Sequence, residues 1–240
     1  KMVDGNRVVT VTYLMEDIKC ANVITYTLES NGALTIEALM SQATIDEAPR
    51  YGIRWRMDSE FSNIRYYGRG PWENYCDRKD GAMMSIYSCD VKDMYIPYVR
   101  PQENGHRVDV QWLEIVNDKG KGLVIYAMSG KENSEKGDNY FEFNTLHNSV
   151  EDFDCEESDA PYQWNNFVEN DPHDIGRARN VMKKQTHVSD ISPRDFTEVC
   201  IDSRMTGVGG DNSWGAETYD KYKVLTSEPQ RLVVKIVPVQ

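Results

Sequence analysis

Hydrophobic and polar residues alternate with a period of two along most of the chain. In VVTVTYL (residues 8–14), Val9, Val11 and Tyr13 share one face and Thr10 and Thr12 the other. That period belongs to a strand. VITYTLE (residues 23–29) groups Ile24, Tyr26 and Leu28, and ALTIEALM (residues 33–40) groups Leu34, Ile36, Ala38 and Met40. The SNG turn at residues 30–32 joins these two, so the three segments predict successive antiparallel strands. Further strands are predicted over residues 51–57, 63–68, 107–116, 123–128, 139–146, 198–203 and 231–239. In residues 107–116, Val108, Val110 and Trp112 stand against Asp109 and Gln111. Helical signals are few. Ser149 with Asp152 three residues on predicts a short capped turn, and residues 171–184 a short helix weakened by Gly176. Residues 154–174 are acidic and aperiodic and read as a surface insertion. The fold class is all-β, an antiparallel two-sheet sandwich.

The 240 residues suffice for one large β domain or two ordinary ones. The net charge of −12 is spread along the chain, without the basic patch that nucleic acid or an anionic membrane surface requires. No apolar run reaches the roughly 20 residues of a membrane span. Five cysteines (Cys20, Cys76, Cys89, Cys155, Cys200) are odd in number, widely spaced and free of any C-x-x-C pair. Free, mostly buried thiols are expected, with no metal site. The opening KMVDGNRVVTV already reads as a strand, so a start trimmed on its N-terminal side is expected, and no compartment follows.

Candidate chemistry sits in three places. Pro71-Trp72-Glu73-Asn74 and Pro101-Gln102-Glu103-Asn104 repeat one short pattern. Two glutamates invite comparison with a retaining glycosidase, whose carboxylates lie about 5–5.5 Å apart. The plainer reading is turn-forming Pro and Asn, with each Glu paired to Arg69, Arg78, Arg100 or Arg107. His106, His147, His173 and His187 show no metal-ligand spacing. GVGGDNSWG (residues 207–215) sets Trp214 among four glycines. It lacks the Lys-Ser/Thr ending of a phosphate loop. Trp214 is either an anchor folded onto the core or a platform on which a sugar ring stacks.

Four collinear stretches shift that balance: YYGRGPWENYCDR (66–78), YIPYVRPQENGHRVDVQWLEI (95–115), FEFNTLH (141–147) and IDSRMTGVGGDNSWG (201–215). Together they resemble the C-terminal small-chain domain, the fifth domain, of family-two bacterial β-galactosidases. The resemblance runs from about residue 8 to the end and is weakest over residues 154–174. It implies one domain over residues 1–240, with a galactose mutarotase-like β-supersandwich fold. It implies a parent that hydrolyses terminal β-galactosides such as lactose with retention. It also implies that the catalytic glutamates, a divalent metal and sodium belong to an upstream barrel, so this chain holds neither catalytic residue nor cofactor. The family's G-x-G-G-D-[DN]-S-W motif matches residues 207–214. It implies that Trp214 is the aromatic platform for the aglycone sugar, in a parent that is cytoplasmic or periplasmic. Gly209 and Gly210 are expected to let the loop turn, with Asp211 and Ser213 bracing it through backbone hydrogen bonds. The expected partners are the other domains of the parent, above all the barrel, a β-galactoside, and further copies in an oligomer. Two other readings stay open: an aldose 1-epimerase-like enzyme using a His and a carboxylate, and a pure interaction module.

Overall fold

The computed structural model describes residues 1–128, 140–153, 187–212 and 215–239. In chain order the first strands are β1 (Met2–Val3), β2 (Asn6–Met15), β3 (Cys20–Leu28), β4 (Leu34–Met40), β5 (Glu47–Ala48), β6 (Arg50–Met57), β7 (Asn63–Gly70) and β8 (Met83–Asp90). Then come β9 (Arg107–Val110), β10 (Trp112–Val116), β11 (Gly122–Ala127), β12 (Phe141–Leu146), β13 (Thr197–Met205), β14 (Val224–Leu225) and β15 (Gln230–Val239). Helix among the described residues is limited to short 3-10 turns. One of these, Val150–Phe153, is the turn expected at Ser149, whose N–H donates to Asp152 Oδ2 at 3.0 Å. The insertion expected over residues 154–174 and the helix over 171–184 lie outside the described residues.

Nine strands form one sheet in the order β1-β2-β3-β4-β15-β11-β10-β7-β8. Four form a second, β6-β13-β12-β9, and β14 pairs with β5. All these pairings are antiparallel, including the β2-β3-β4 succession. The β3–β4 turn is fixed by Asn31, whose Oδ1 accepts from the Ala33 N–H at 2.9 Å. The expected alternation in β2 is present, yet Val9 is 56% and Tyr13 49% exposed. Four strands cannot cover nine, and β2 lies near the uncovered end of the large sheet.

The core lies between the sheets. Tyr66 of β7 and Phe143 of β12, both fully buried, meet edge-on with ring centroids 5.1 Å apart. Tyr66 keeps its hydroxyl satisfied by accepting from Arg107 Nε at 3.1 Å. β12 is buried on both sides, with Phe141 and Phe143 facing the core and Glu142 and Asn144 alternating to the other face. Cys20 and Cys200 are buried free thiols, as expected, and burial pushes the Cys200 thiol up to about 12.

The segment expected as one strand over residues 107–116 is two. β9 belongs to the small sheet and β10 to the large one. Asp109 takes a left-handed φ of 55°. Its carboxylate is held by Arg69 Nε at 2.5 Å and Lys79 Nζ at 2.8 Å. The inward phase shifts by one residue across the junction: Val108 and Val110 are buried before it, Leu113 and Ile115 after it. Trp112 therefore leaves the row it was expected to share. A strand that changes sheets must change the side it turns inward. β8 and the short β1, β5 and β14 carry no pattern that predicts them.

Near that junction the sheets approach so closely that a Cβ on Gly68 would stand 2.7 Å from Val110 Cγ2 and 3.1 Å from its Cα. Gly68→Ala is expected to destabilise the fold by about 1–3 kcal/mol in urea unfolding. Gly81→Ala, where a Cβ meets nothing within 4 Å, serves as control. It should stay within about 0.5 kcal/mol of the parent chain.

Candidate functional site

The two Pro-x-Glu-Asn segments fold alike. Asn74 Nδ2 donates to the Trp72 carbonyl two residues back at 3.0 Å, and its Oδ1 accepts from the Val108 N–H at 3.0 Å. Asn104 Nδ2 donates to the Gln102 carbonyl at 3.0 Å, and its Oδ1 accepts from the Ile96 N–H at 3.0 Å. Each buried amide thus closes its own turn and ties it to a distant backbone. The two turns also meet. Gly105 N–H donates to Glu73 Oε2 at 2.8 Å, and Asn74 N–H to the His106 carbonyl at 2.9 Å. Buried Arg107 completes the joint, donating to the Pro71, Gly105 and His106 carbonyls at 2.8, 3.0 and 3.1 Å.

Of the arginines expected for the glutamates, Arg78 does pair with Glu73, at 2.5 Å. Tyr98 also donates to that Glu73 oxygen. Arg69 goes to Asp109 and Arg107 to carbonyls. Glu103 instead meets Arg50 of β6 at 3.4 Å, and its other oxygen accepts from Asn144 Nδ2 at 2.9 Å. All four carboxylate oxygens of Glu73 and Glu103 are therefore held by donors of the chain itself. Burial raises the Glu103 carboxyl above its ordinary value despite the nearby Arg50 and His106.

Arg50 joins these segments to the outer face of the small sheet. Its Nε donates to Asp202 Oδ1 at 3.1 Å, with a second bond to Asp202 Oδ2. Burial pulls the guanidinium pKa down, but the hydrogen bond and charge of Asp202 more than offset it, and Arg50 stays charged. Along the same face Arg56 and Arg54 reach Glu198 at 2.9 and 3.6 Å. The space left among Glu103, Asn104, Asn144 and Glu198 is about 10 Å³, room for a single water at most.

His106 and Glu142 form the histidine–carboxylate pair at this centre, Nε2 to Oε2, 3.1 Å. His106 is fully buried and stacks on Tyr75 with centroids 5.3 Å apart. Glu142 Oε2 also accepts from the Met205 N–H at 2.7 Å. His147 Nδ1 bonds the Phe196 carbonyl at 2.9 Å, and His173 lies outside the described residues.

The glycine loop is clamped at its base. Gly207 N–H donates to the Tyr222 carbonyl at 2.9 Å, and Gly209 N–H to Asp77 Oδ2 at 2.7 Å. Thr218 Oγ1, on the returning limb, lies 3.4 Å from the same oxygen. Gly209 and Gly210 do not use left-handed backbone. Their value is closeness: a Cβ on Gly210 would fall 1.9 Å from the Ala216 carbonyl. The partner of Asp211 among the described residues is the Tyr219 hydroxyl at 2.5 Å, where backbone N–H groups were expected. Ser213 and Trp214 lie outside the described residues. Asp77 was not singled out from the sequence, although it stands inside the GPWENYCDR stretch.

Fold and site together define an all-β sandwich domain that presents a clamped, glycine-rich loop. The chain belongs to the beta-galactosidase small-chain family, whose match covers residues 1–236. It is 32% identical over 216 residues to a beta-galactosidase of Priestia megaterium, covering 90% of this chain and 17% of that protein. It is 26% identical over 234 residues to one of Streptococcus thermophilus, covering 96% of this chain and 19% of that protein. The chain thus spans less than a fifth of the length of either relative. Among solved structures, a galactose mutarotase related enzyme from Lactobacillus acidophilus aligns with a TM-score of 0.39 and 9% identity, over all of this chain and 70% of that one.

The Glu103 carboxyl pKa is raised in the folded state, so the fold favours its proton more than the unfolded chain does. Its contribution is complete below the ordinary carboxylate range and is lost as pH rises through the elevated value. Urea midpoints measured from acid to neutral pH should show any stability advantage of the parent chain over Glu103→Gln shrinking as pH rises. Parallel curves would contradict this assignment.

Proposed function

We propose that this chain is a non-catalytic part of a β-galactosidase and that it helps to hold substrate through Trp214. Family membership supports the parent activity, hydrolysis of terminal β-galactosides. The observation that carries the reading for this chain is the clamp around residues 213–214. Asp77 and Tyr222 hold the incoming limb, Thr218 approaches Asp77 from the returning limb, and Tyr219 ties across to Asp211. Flanking limbs held in this way lower the ordering cost of binding through the residues between them. Between the two limbs in sequence comes Trp214, an indole whose flat apolar face suits the C–H side of a sugar ring. The aglycone sugar, the glucose of lactose, stacks there while an acid/base and a nucleophilic carboxylate act on the other side of the glycosidic bond. Those carboxylates, together with the divalent metal and sodium that the family resemblance implies, are supplied by the rest of the parent. Glu73 and Glu103 are engaged in bracing, which fits this division. The enclosed His106–Glu142 pair is out of reach of a pyranose, which counts against the epimerase reading.

The 240-residue chain is expected to leave a chromogenic β-galactoside unhydrolysed. In the full-length enzyme, Trp214→Ala should weaken lactose and glucose binding about tenfold, or about 1.4 kcal/mol, with galactose little affected. Turnover by the isolated chain that vanishes in Glu73 or Glu103 variants would refute the non-catalytic assignment. Equal weakening of glucose and galactose would refute the aglycone platform.

A further inference from the structure

A second tryptophan stands in an unusual setting. Trp72 is 74% exposed, the most exposed aromatic residue described. The backbone beneath it is fixed. Its carbonyl accepts from buried Asn74 Nδ2 at 3.0 Å, and the Pro71 carbonyl before it from buried Arg107 Nη2 at 2.8 Å. Buried polar side chains thus hold the main chain in place under an indole that packs against little. A packing residue shows the opposite arrangement, with its ring engaged.

Trp72 borders an open cleft of about 540 Å³, lined also by Glu73, Asp77, Arg78, Lys79 and Asp80. That volume falls within the range of small-molecule sites, about 300–1,000 Å³. The charged groups of its wall are mostly neutralised internally. Arg78 bonds Glu73, and Lys79 bonds Asp109 at 2.8 Å. An anionic ligand therefore meets no excess of positive charge. Donors and acceptors remain. Arg78 uses only Nη2 for Glu73 and Tyr98. Asp80 is exposed. Mixed donors and acceptors around one flat apolar face match a neutral pyranose, whose hydroxyls both donate and accept and whose ring has an apolar C–H side.

We propose that the cleft beside Trp72 is a saccharide subsite, separate from Trp214, that stacks a neutral pyranose ring on the Trp72 indole with hydroxyls toward Arg78 and Asp80. The proposal rests on the reading above only in taking the ligand to be a saccharide. Asp77 links the two places, since it lines this cleft and anchors Gly209 of the loop leading to Trp214. The probe is therefore an oligosaccharide longer than lactose, which carries a ring beyond the two that the reading above assigns.

The test is titration of the intact protein with hydrolysis-resistant, sulfur-linked analogues of lactose and of a β-linked galactotriose, followed by ligand-observed NMR and tryptophan fluorescence. The galactotriose analogue should bind the parent protein more tightly than the lactose analogue. Trp72→Ala should weaken galactotriose binding about tenfold, and Trp72→Phe, which keeps a stacking face, should stay within about threefold. Trp72 is exposed, so neither variant should unfold, which circular dichroism verifies. Unchanged galactotriose affinity in Trp72→Ala overturns the proposal, as does a Phe variant as weak as the Ala variant. Acrylamide quenching supplies an independent arm: a Trp72 indole shielded in the ligand-free intact protein marks a contact between domains and overturns the subsite. Trp214→Ala separates the two readings. Loss with Trp214→Ala and none with Trp72→Ala leaves the platform standing and this subsite refuted. The reverse supports the subsite and removes the platform.

Discussion

Arg50 is the charge on which the arrangement of this domain turns. It sits at the start of β6, and one guanidinium grips Asp202 on the neighbouring β13 and Glu103 on a distant loop. Asp202 is almost fully buried, and Arg50 is its charged partner among the described residues. Stranding one member of a buried pair typically costs about 3–5 kcal/mol. The sandwich consequently has two interiors of different chemistry. One is apolar, between the sheets, where Tyr66 meets Phe143. The other is ionic, on the far side of the small sheet, where Arg50, Arg54 and Arg56 face Asp202 and Glu198.

The loops inherit their positions from that ionic layer. Glu103, held by Arg50 and Asn144, fixes the second Pro-x-Glu-Asn turn, and Gly105 just beyond it holds Glu73 of the first. The first turn continues into Asp77, which receives the glycine loop. An unbroken series of contacts thus runs from a β-sheet ion pair to the base of the segment bearing Trp214. Trp72 stands on the first turn, where the backbone is held and the ring is exposed.

What the sequence disclosed, and what it withheld, follows from the range of each signal. β2, β3 and β4 were legible because alternation and a turn are local. The Glu73–Arg78 pair was legible because five residues separate the partners. The Glu103–Arg50 pair was not, since the two lie 53 positions apart and only the folded loop brings Glu103 to β6. Residues 107–116 alternate without interruption on paper. The change of sheet depends on the left-handed Asp109 and on Arg69 and Lys79, which periodicity cannot register. β8 was missed because its apolar residues, Met83, Met84, Ile86, Tyr87 and Cys89, keep no single period. The glycine density of residues 207–215 was visible, but its reason, close passage beside Asp77 and Ala216, is a fact of three dimensions.

The junction between β9 and β10 bears on how the domain comes apart. One short run of chain belongs to both sheets, so neither layer can slide or peel away without pulling the other's hydrogen-bonded ladder. Across most of a sandwich the layers are joined by side-chain contacts, which shear readily. Here a covalent seam crosses the interface close to Gly68 and Val110, where the layers are nearest. A displacement of either ladder at this point is carried straight through the backbone into the other.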